Sequence, residues 1–96
     1  MDILVTYDVN TTTSAGRSRL RRVAKICEGY GQRVQYSVFE CTVSETNFVV
    51  LKSRLVKTIH DQEDSLRIYK LRGNRSDVVE AFGRDGYVDY TAPLVI

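Results

Sequence analysis

Asp8 is the first residue in this chain placed where it could do chemistry. It follows the apolar run Ile3-Leu4-Val5-Thr6-Tyr7 and precedes a string of turn formers from Asn10 to Gly16. A carboxylate at the carboxyl edge of a strand is a common position for a metal ligand or an acid–base group. It can equally hydrogen-bond the amides of the Asn10–Thr13 loop, and the sequence leaves both readings open. The other acids complete no cage around it: Glu28, Glu40 and Glu45 are scattered, and Asp61, Glu63 and Asp64 read as solvated connector charge. Mg²⁺ keeps several waters and often takes only one or two protein carboxylates. A twofold dimer could therefore build a shared site from two copies of Asp8.

The second chemical feature is a concentration of positive charge. Arg17, Arg19, Arg21, Arg22, Lys25 and Arg33 face a single acid, Glu28, in a chain whose net charge is only +2. A basic helix face with Tyr30, Tyr36 and Phe39 nearby suits a phosphate backbone, and guanidinium forks grip phosphates bidentately. A solvated helix face is the competing reading. The six tyrosines are expected to pack the sheet, with Tyr7, beside Asp8, as the exception.

Other chemistries find little support. No C-x-x-C pair occurs, Cys27 and Cys41 stand apart, and His60 is the single histidine, which argues against structural zinc. The two cysteines read as reduced thiols acting as small hydrophobes. His60 lies near a helix C-terminus, where a cation is favoured. Ser37 has no His or Lys at a spacing that would make it a nucleophile, and no glycine-rich phosphate-cradling motif is present.

These residues must be positioned by a small fold. Ninety-six residues, 43% hydrophobic and 27% charged, make one soluble domain with a modest core. No apolar run is long enough to span a membrane, and the N-terminus has no signal-peptide pattern, so a cytoplasmic location is expected. Residues 2–9 alternate as a central strand. From about Arg17 to Tyr30, Leu20, Val23, Ala24 and Cys27 recur at helical spacing, and Gly29 and Gly31 read as left-handed stops. Residues 33–43 form either one long bent strand or two strands meeting near Ser37. Ser44 reads as an N-cap for a helix to about His60, carrying Phe48, Leu51, Leu55 and Ile59 inward. Ser65 to Leu71 is a further strand, Gly73, Asn74 and Ser76 mark a turn, and a short apolar piece runs from Val78 to Phe82.

This order is the split βαβ pattern of an α+β ferredoxin-like sandwich, βαββαβ, as a single domain over residues 1–96. Two helices on one face leave the other sheet face bare, to be solvated, bound or dimerised. The terminal Leu94-Val95-Ile96 argues for dimerisation. An extra C-terminal strand, in a segment of about 87–96, is expected to pack on the partner protomer with Pro93 tolerated at an edge.

Several stretches together carry a family likeness. Val5-Thr6-Tyr7-Asp8-Val9, the arginine-rich helix, the block from Tyr30 through Gly31-Gln32-Arg33-Val34-Gln35-Tyr36-Ser37-Val38-Phe39-Glu40 to Cys41, and Asp64-Ser65-Leu66-Arg67-Ile68-Tyr69 closely resemble the small CRISPR-associated endoribonuclease-like protein of the adaptation machinery. The ending and the first helix look most like members from type I-C systems.

The resemblance implies a homodimer that exchanges its last strand, and Mg²⁺ held by Asp8 at the dimer interface. It implies a role as the central dimer of the spacer-integration complex, flanked by CRISPR integrase subunits and lying along double-stranded prespacer DNA. In some members it also implies metal-dependent phosphodiester cleavage of RNA, including single-stranded RNA, or of DNA. The family pattern marks Tyr7, Arg17, Arg19, Arg33 and Phe39 around the site. With Asp8 and Tyr7 as the catalytic pair, Arg17, Arg19, Arg22, Arg33 and Phe39 would hold the nucleic acid. No histidine is placed as a general base, so the metal must carry most of any hydrolysis. A scaffold with a vestigial metal site is one rival; a toxin-like metal-dependent ribonuclease resembling virulence-associated protein D is the other.

Overall fold

The computed structural model describes residues 1–84, 87 and 88. Strand β1 (Asp2–Asp8) leads into helix α1 (Ser14–Glu28), and strands β2 (Gly31–Gln35) and β3 (Val38–Thr42) form a hairpin. Helix α2 (Glu45–Thr58), strand β4 (Ser65–Leu71) and a single helical turn, α3 (Arg75–Val78), complete the series. The strands lie in the order β2-β3-β1-β4, and every neighbouring pair is antiparallel. This is the ferredoxin-like α+β arrangement. The expected C-terminal strand falls almost wholly outside the described residues.

β1 has a partner on each side, so its alternation divides the molecule. Ile3, Val5 and Tyr7 point toward the helices and are buried. Phe39 and Cys41, opposite Val5 and Ile3 in register, join them. Val23 and Cys27 from α1, and Phe48, Leu51 and Leu55 from α2, close this core. Leu4, Thr6 and Asp8 point to the other face, which neither α1 nor α2 covers. There Arg75 of α3 reaches back to Glu40, with Nε 2.6 Å from Oε1, and lays its guanidinium over the Tyr87 ring. A groove lined by Leu4, Val34, Glu40, Leu71, Val78 and Phe82 runs between the sheet and this returning segment.

Local chemistry explains the element ends. Thr13 caps α1 by accepting from the Gly16 amide, and Ser44 caps α2 by accepting from the Asn47 amide. α1 therefore begins three residues earlier than apolar spacing alone predicts. Gly16 is no breaker: the Asn10 carbonyl lies where its Cβ would be. Gly29 is not the left-handed stop expected, since its φ is −71°. The helix ends instead by tightening, with the Gly29 and Tyr30 amides donating to the Ile26 and Cys27 carbonyls. Gly31 is needed for another reason. It lies inside β2, where a Cβ would collide with the Glu40 carbonyl and with Cys41 across the strand pair.

Of the two readings for residues 33–43, the hairpin is the one that forms. It turns at Tyr36-Ser37 with no positive φ at a non-glycine residue, and a register shift between Arg33 and Gln35 supplies the local twist. Both thiols are buried in this core. Burial pushes Cys27 up to about 12 and Cys41 up to about 11, as expected for small hydrophobes. Replacing Gly31 by Ala forces a methyl group into backbone and is expected to cost about 1–3 kcal/mol by overpacking. Chemical denaturation with an unchanged m-value measures it, and an unshifted midpoint would refute the packing.

Candidate metal and nucleic-acid site at the end of strand β1

Asp8 is exposed at the last position of β1, directly opposite Ser65 of β4. Its carboxylate forms no hydrogen bond or ion pair among the described residues. Three amides that follow it have other acceptors. Asn10 N–H donates to Asp64 Oδ1 at 3.0 Å, Thr12 N–H to Asn10 Oδ1 at 3.0 Å, and Gly16 N–H to Thr13 Oγ1 at 3.0 Å. Asp8 therefore stands as an uncommitted hard oxygen donor, which suits Mg²⁺. The described residues bring no group of three metal-ligating side chains together. One chain offers one carboxylate, and further ligands would be water or a second copy.

Tyr7 does not share that face. Its side chain turns into the core, 6% exposed, and stacks on Phe39 with ring centroids 6.3 Å apart. Its hydroxyl is buried with no well-aligned partner among the described residues. Loss of solvent, followed by the neighbouring Cys27, pushes its pKa up, with Arg33 opposing. The expectation of a catalytic pair with Asp8 is thus corrected: alternation along the strand puts Tyr7 on the opposite side, as a protonated phenol. The tyrosine exposed near this end of β1 is Tyr36, 93% exposed at the hairpin tip, where Tyr7 N–H donates to the Ser37 carbonyl.

Phe39 is likewise corrected. It is fully buried and cannot be a surface contact to nucleic acid. Its role is to support Arg33, whose guanidinium lies 5.2 Å from the ring centroid. Arg33 stays partly open, with its side chain 44% exposed and 3.7 Å from Glu28.

The basic helix divides into two sets. Arg17, Arg21, Arg22 and Lys25 are exposed, and none has an acidic partner among the described residues. Arg17 also donates to the Thr11 carbonyl at 3.2 Å, which keeps it over the loop after Asp8. The first turn of α1 holds no acid, so its amide dipoles add to the positive potential at this end. Arg19 goes the other way. Its side chain is 11% exposed, with Nε 2.8 Å from Asp64 Oδ2 and Nη2 3.2 Å from Glu63 Oε2. Arg19 is therefore not part of the basic face, because Asp64 and Glu63 already occupy its fork.

Asp64 is the residue that sequence reading missed. Expected as solvated charge, it has a fully buried side chain that also accepts from the Asn10 amide and, at 2.8 Å, from the His60 amide. The Arg19 fork, helped by those amides and opposed by desolvation, lowers its pKa to about 2. A signal was present in the pattern. Gly16, Arg19, Val23 and Cys27 fall on one helix face, and an arginine on a buried stripe demands an acid. A depressed carboxylate stabilises the fold above its ordinary 3.8, and that stability is lost as pH falls toward 2. Wild-type melting temperature is expected to drop more steeply between pH 4 and pH 2 than that of Asp64→Asn. Parallel melting curves would refute the pairing.

Comparison with known proteins bears on the fold and the family. Residues 1–78 match the family described as CRISPR associated protein Cas2. The chain is 51% identical over 96 residues to "CRISPR-associated endoribonuclease Cas2 1" of Moorella thermoacetica, covering 100% of each. It is 48% identical over 95 residues to "CRISPR-associated endonuclease Cas2" of Halalkalibacterium halodurans, covering 99% of each. Among solved structures, Streptococcus pyogenes Cas2 at pH 6.5 superposes with a TM-score of 0.78 and 57% identity, over 86% of this chain and 100% of that one. The family match over residues 1–78, a relative 51% identical over the full length and the shared ferredoxin-like sheet make this chain a member of the Cas2 family.

Proposed function

We propose that this protein serves CRISPR spacer acquisition, in a type I-C system, as a homodimeric nucleic-acid-binding component between integrase subunits. The exposed face of α1 would lie along the phosphate backbone of double-stranded prespacer DNA, and two Asp8 carboxylates would share Mg²⁺. The observation that carries this reading is Asp8 itself: an exposed carboxylate with no partner among the described residues, at the strand end that leads into an arginine-rich helix. The sheet face that neither α1 nor α2 covers supports self-association, with Phe82 85% and Tyr69 42% exposed beside it.

In cleavage of RNA or DNA, Asp8 would hold Mg²⁺, which supplies the positive charge that polarises a phosphodiester. Arg17 and Arg33 would orient the backbone on either side. Tyr7 would hold the Phe39 ring under Arg33 and keep its own proton. None of these groups is a built-in general base, which fits a scaffold better than a fast nuclease. The toxin-like ribonuclease reading is weaker, since the family match and the relatives' names fall on the CRISPR side.

Asp8→Asn separates the two roles. It keeps the side-chain shape, breaks no contact seen among the described residues, and removes the charge a hard cation needs. Metal-dependent cleavage is expected to fall to background while assembly with the integrase and spacer insertion persist. Undiminished cleavage would refute the metal site, and loss of insertion from an intact dimer would favour the nuclease.

The basic face has its own test. Arg17→Ala, Arg21→Ala and Arg22→Ala together are expected to weaken duplex DNA binding and reduce the salt slope by about 1 for each phosphate-binding arginine removed. An unchanged slope in filter-binding or anisotropy titrations would make this a solvated surface.

A further inference from the structure

The β3 side of the sheet stops supporting β1 before Asp8. Cross-strand partners on that side end with Thr6 and Val38, and the last backbone bond is Tyr7 N–H to the Ser37 carbonyl. Beyond that point, Asp8 is held by Ser65 of β4 on one side. The loop after Asp8 is held at Asn10, whose amide donates to Asp64, the residue immediately before Ser65. Asp64 therefore bears on Asp8 in two ways: through its neighbour Ser65, which is opposite Asp8 across the sheet, and through Asn10, two residues onward. Arg19 fixes Asp64 in turn, with Nε at 2.8 Å from Oδ2 and Nη2 at 3.3 Å from Oδ1, the bidentate geometry that leaves a carboxylate little freedom. The His60 amide supplies a further donor.

A buried ion pair is a weak source of stability, because desolvation consumes most of the Coulomb gain. Its effect lies in fixing one geometry. We propose that Arg19 and Asp64 are positioning residues for Asp8, clamping the β1–α1 loop so that the Asp8 carboxylate is presented to a divalent cation in one place. This rests on the reading of Asp8 as the cation ligand. Residues that orient a ligand from behind commonly change metal affinity by about 10–100-fold when replaced.

The experiment uses the full chain, ¹⁵N-labelled, with Mn²⁺ as the probe. Asp64→Asn is compared with wild type well below both melting temperatures, and Arg19→Lys, which keeps the charge but loses the fork, serves if the first variant does not fold. The Asn10 amide is expected to exchange about tenfold faster or more, the Asp8 and Val9 resonances to shift, and Mn²⁺ affinity to fall by about 10–100-fold. In any metal-dependent cleavage, kcat is expected to fall with little change in KM. Wild-type exchange at Asn10 in a folded variant would overturn the clamp. Faster exchange with unchanged Mn²⁺ affinity would overturn the positioning role and leave a merely structural pair. A wild-type chain that takes up no Mn²⁺, or an Asp8→Asn chain that takes up as much as wild type, would overturn the Asp8 reading and with it the positioning role, whatever the Asn10 exchange rate says of the clamp; with Mn²⁺ uptake intact and dependent on Asp8, a failure belongs to the positioning role alone.

Discussion

β1 is paired on both edges and covered on one face, and that constraint governs everything else in the molecule. A strand in that position has no freedom to rotate its side chains, because each neighbour fixes its register and the helices fix which face is inside. Odd positions make the core and even positions meet the open face. A slip of one residue would turn Asp8 into the apolar layer and Tyr7 out to solvent, stranding a charge where nothing offsets its desolvation. The separation of Asp8 from Tyr7 is therefore not incidental. It comes from the same alternation that assembles Ile3, Val5 and Tyr7 under the helices.

The sandwich has a charge inside it at one end and a second ion pair on its other face. Arg19 and Asp64 join α1 to the segment entering β4, while Arg75 and Glu40 join the segment leaving β4 to β3. β4 is thus pinned to the rest of the fold just before it starts and just after it ends. Both links use arginine, whose planar fork can satisfy a carboxylate from two nitrogens.

Much of this is legible in the residues. The period-two run of β1, the Ser44 cap and the apolar stripe of α2 each give a local signal that tertiary packing then confirms. Direction is what the residues leave unstated. Leu20 and Arg19 are neighbours on α1, and hydrophobic spacing favours Leu20 as the inward residue. In the fold Arg19 is the more buried of the two, because an acid 45 positions away comes to meet it; the buried stripe signals that some acid is needed, but no local rule says which. Phe39 and Tyr36 both read as aromatics near a basic surface. One is core and the other is exposed, since the hairpin turn between them separates strand from tip. Gly29 has the residue type of a left-handed cap, but a glycine's freedom is an option that the chain need not use.

The sealed thiols have a practical consequence. With burial pushing Cys27 up to about 12 and Cys41 up to about 11, the reactive anion is scarce at neutral pH. Both sulfurs sit beneath the sheet at 0% and 2% exposure, so a thiol reagent reaches them only when the sandwich opens. The chain thus carries its own clock for core opening: alkylation of Cys27 reports how often α1 lifts from the sheet, without an engineered label and without touching the open face.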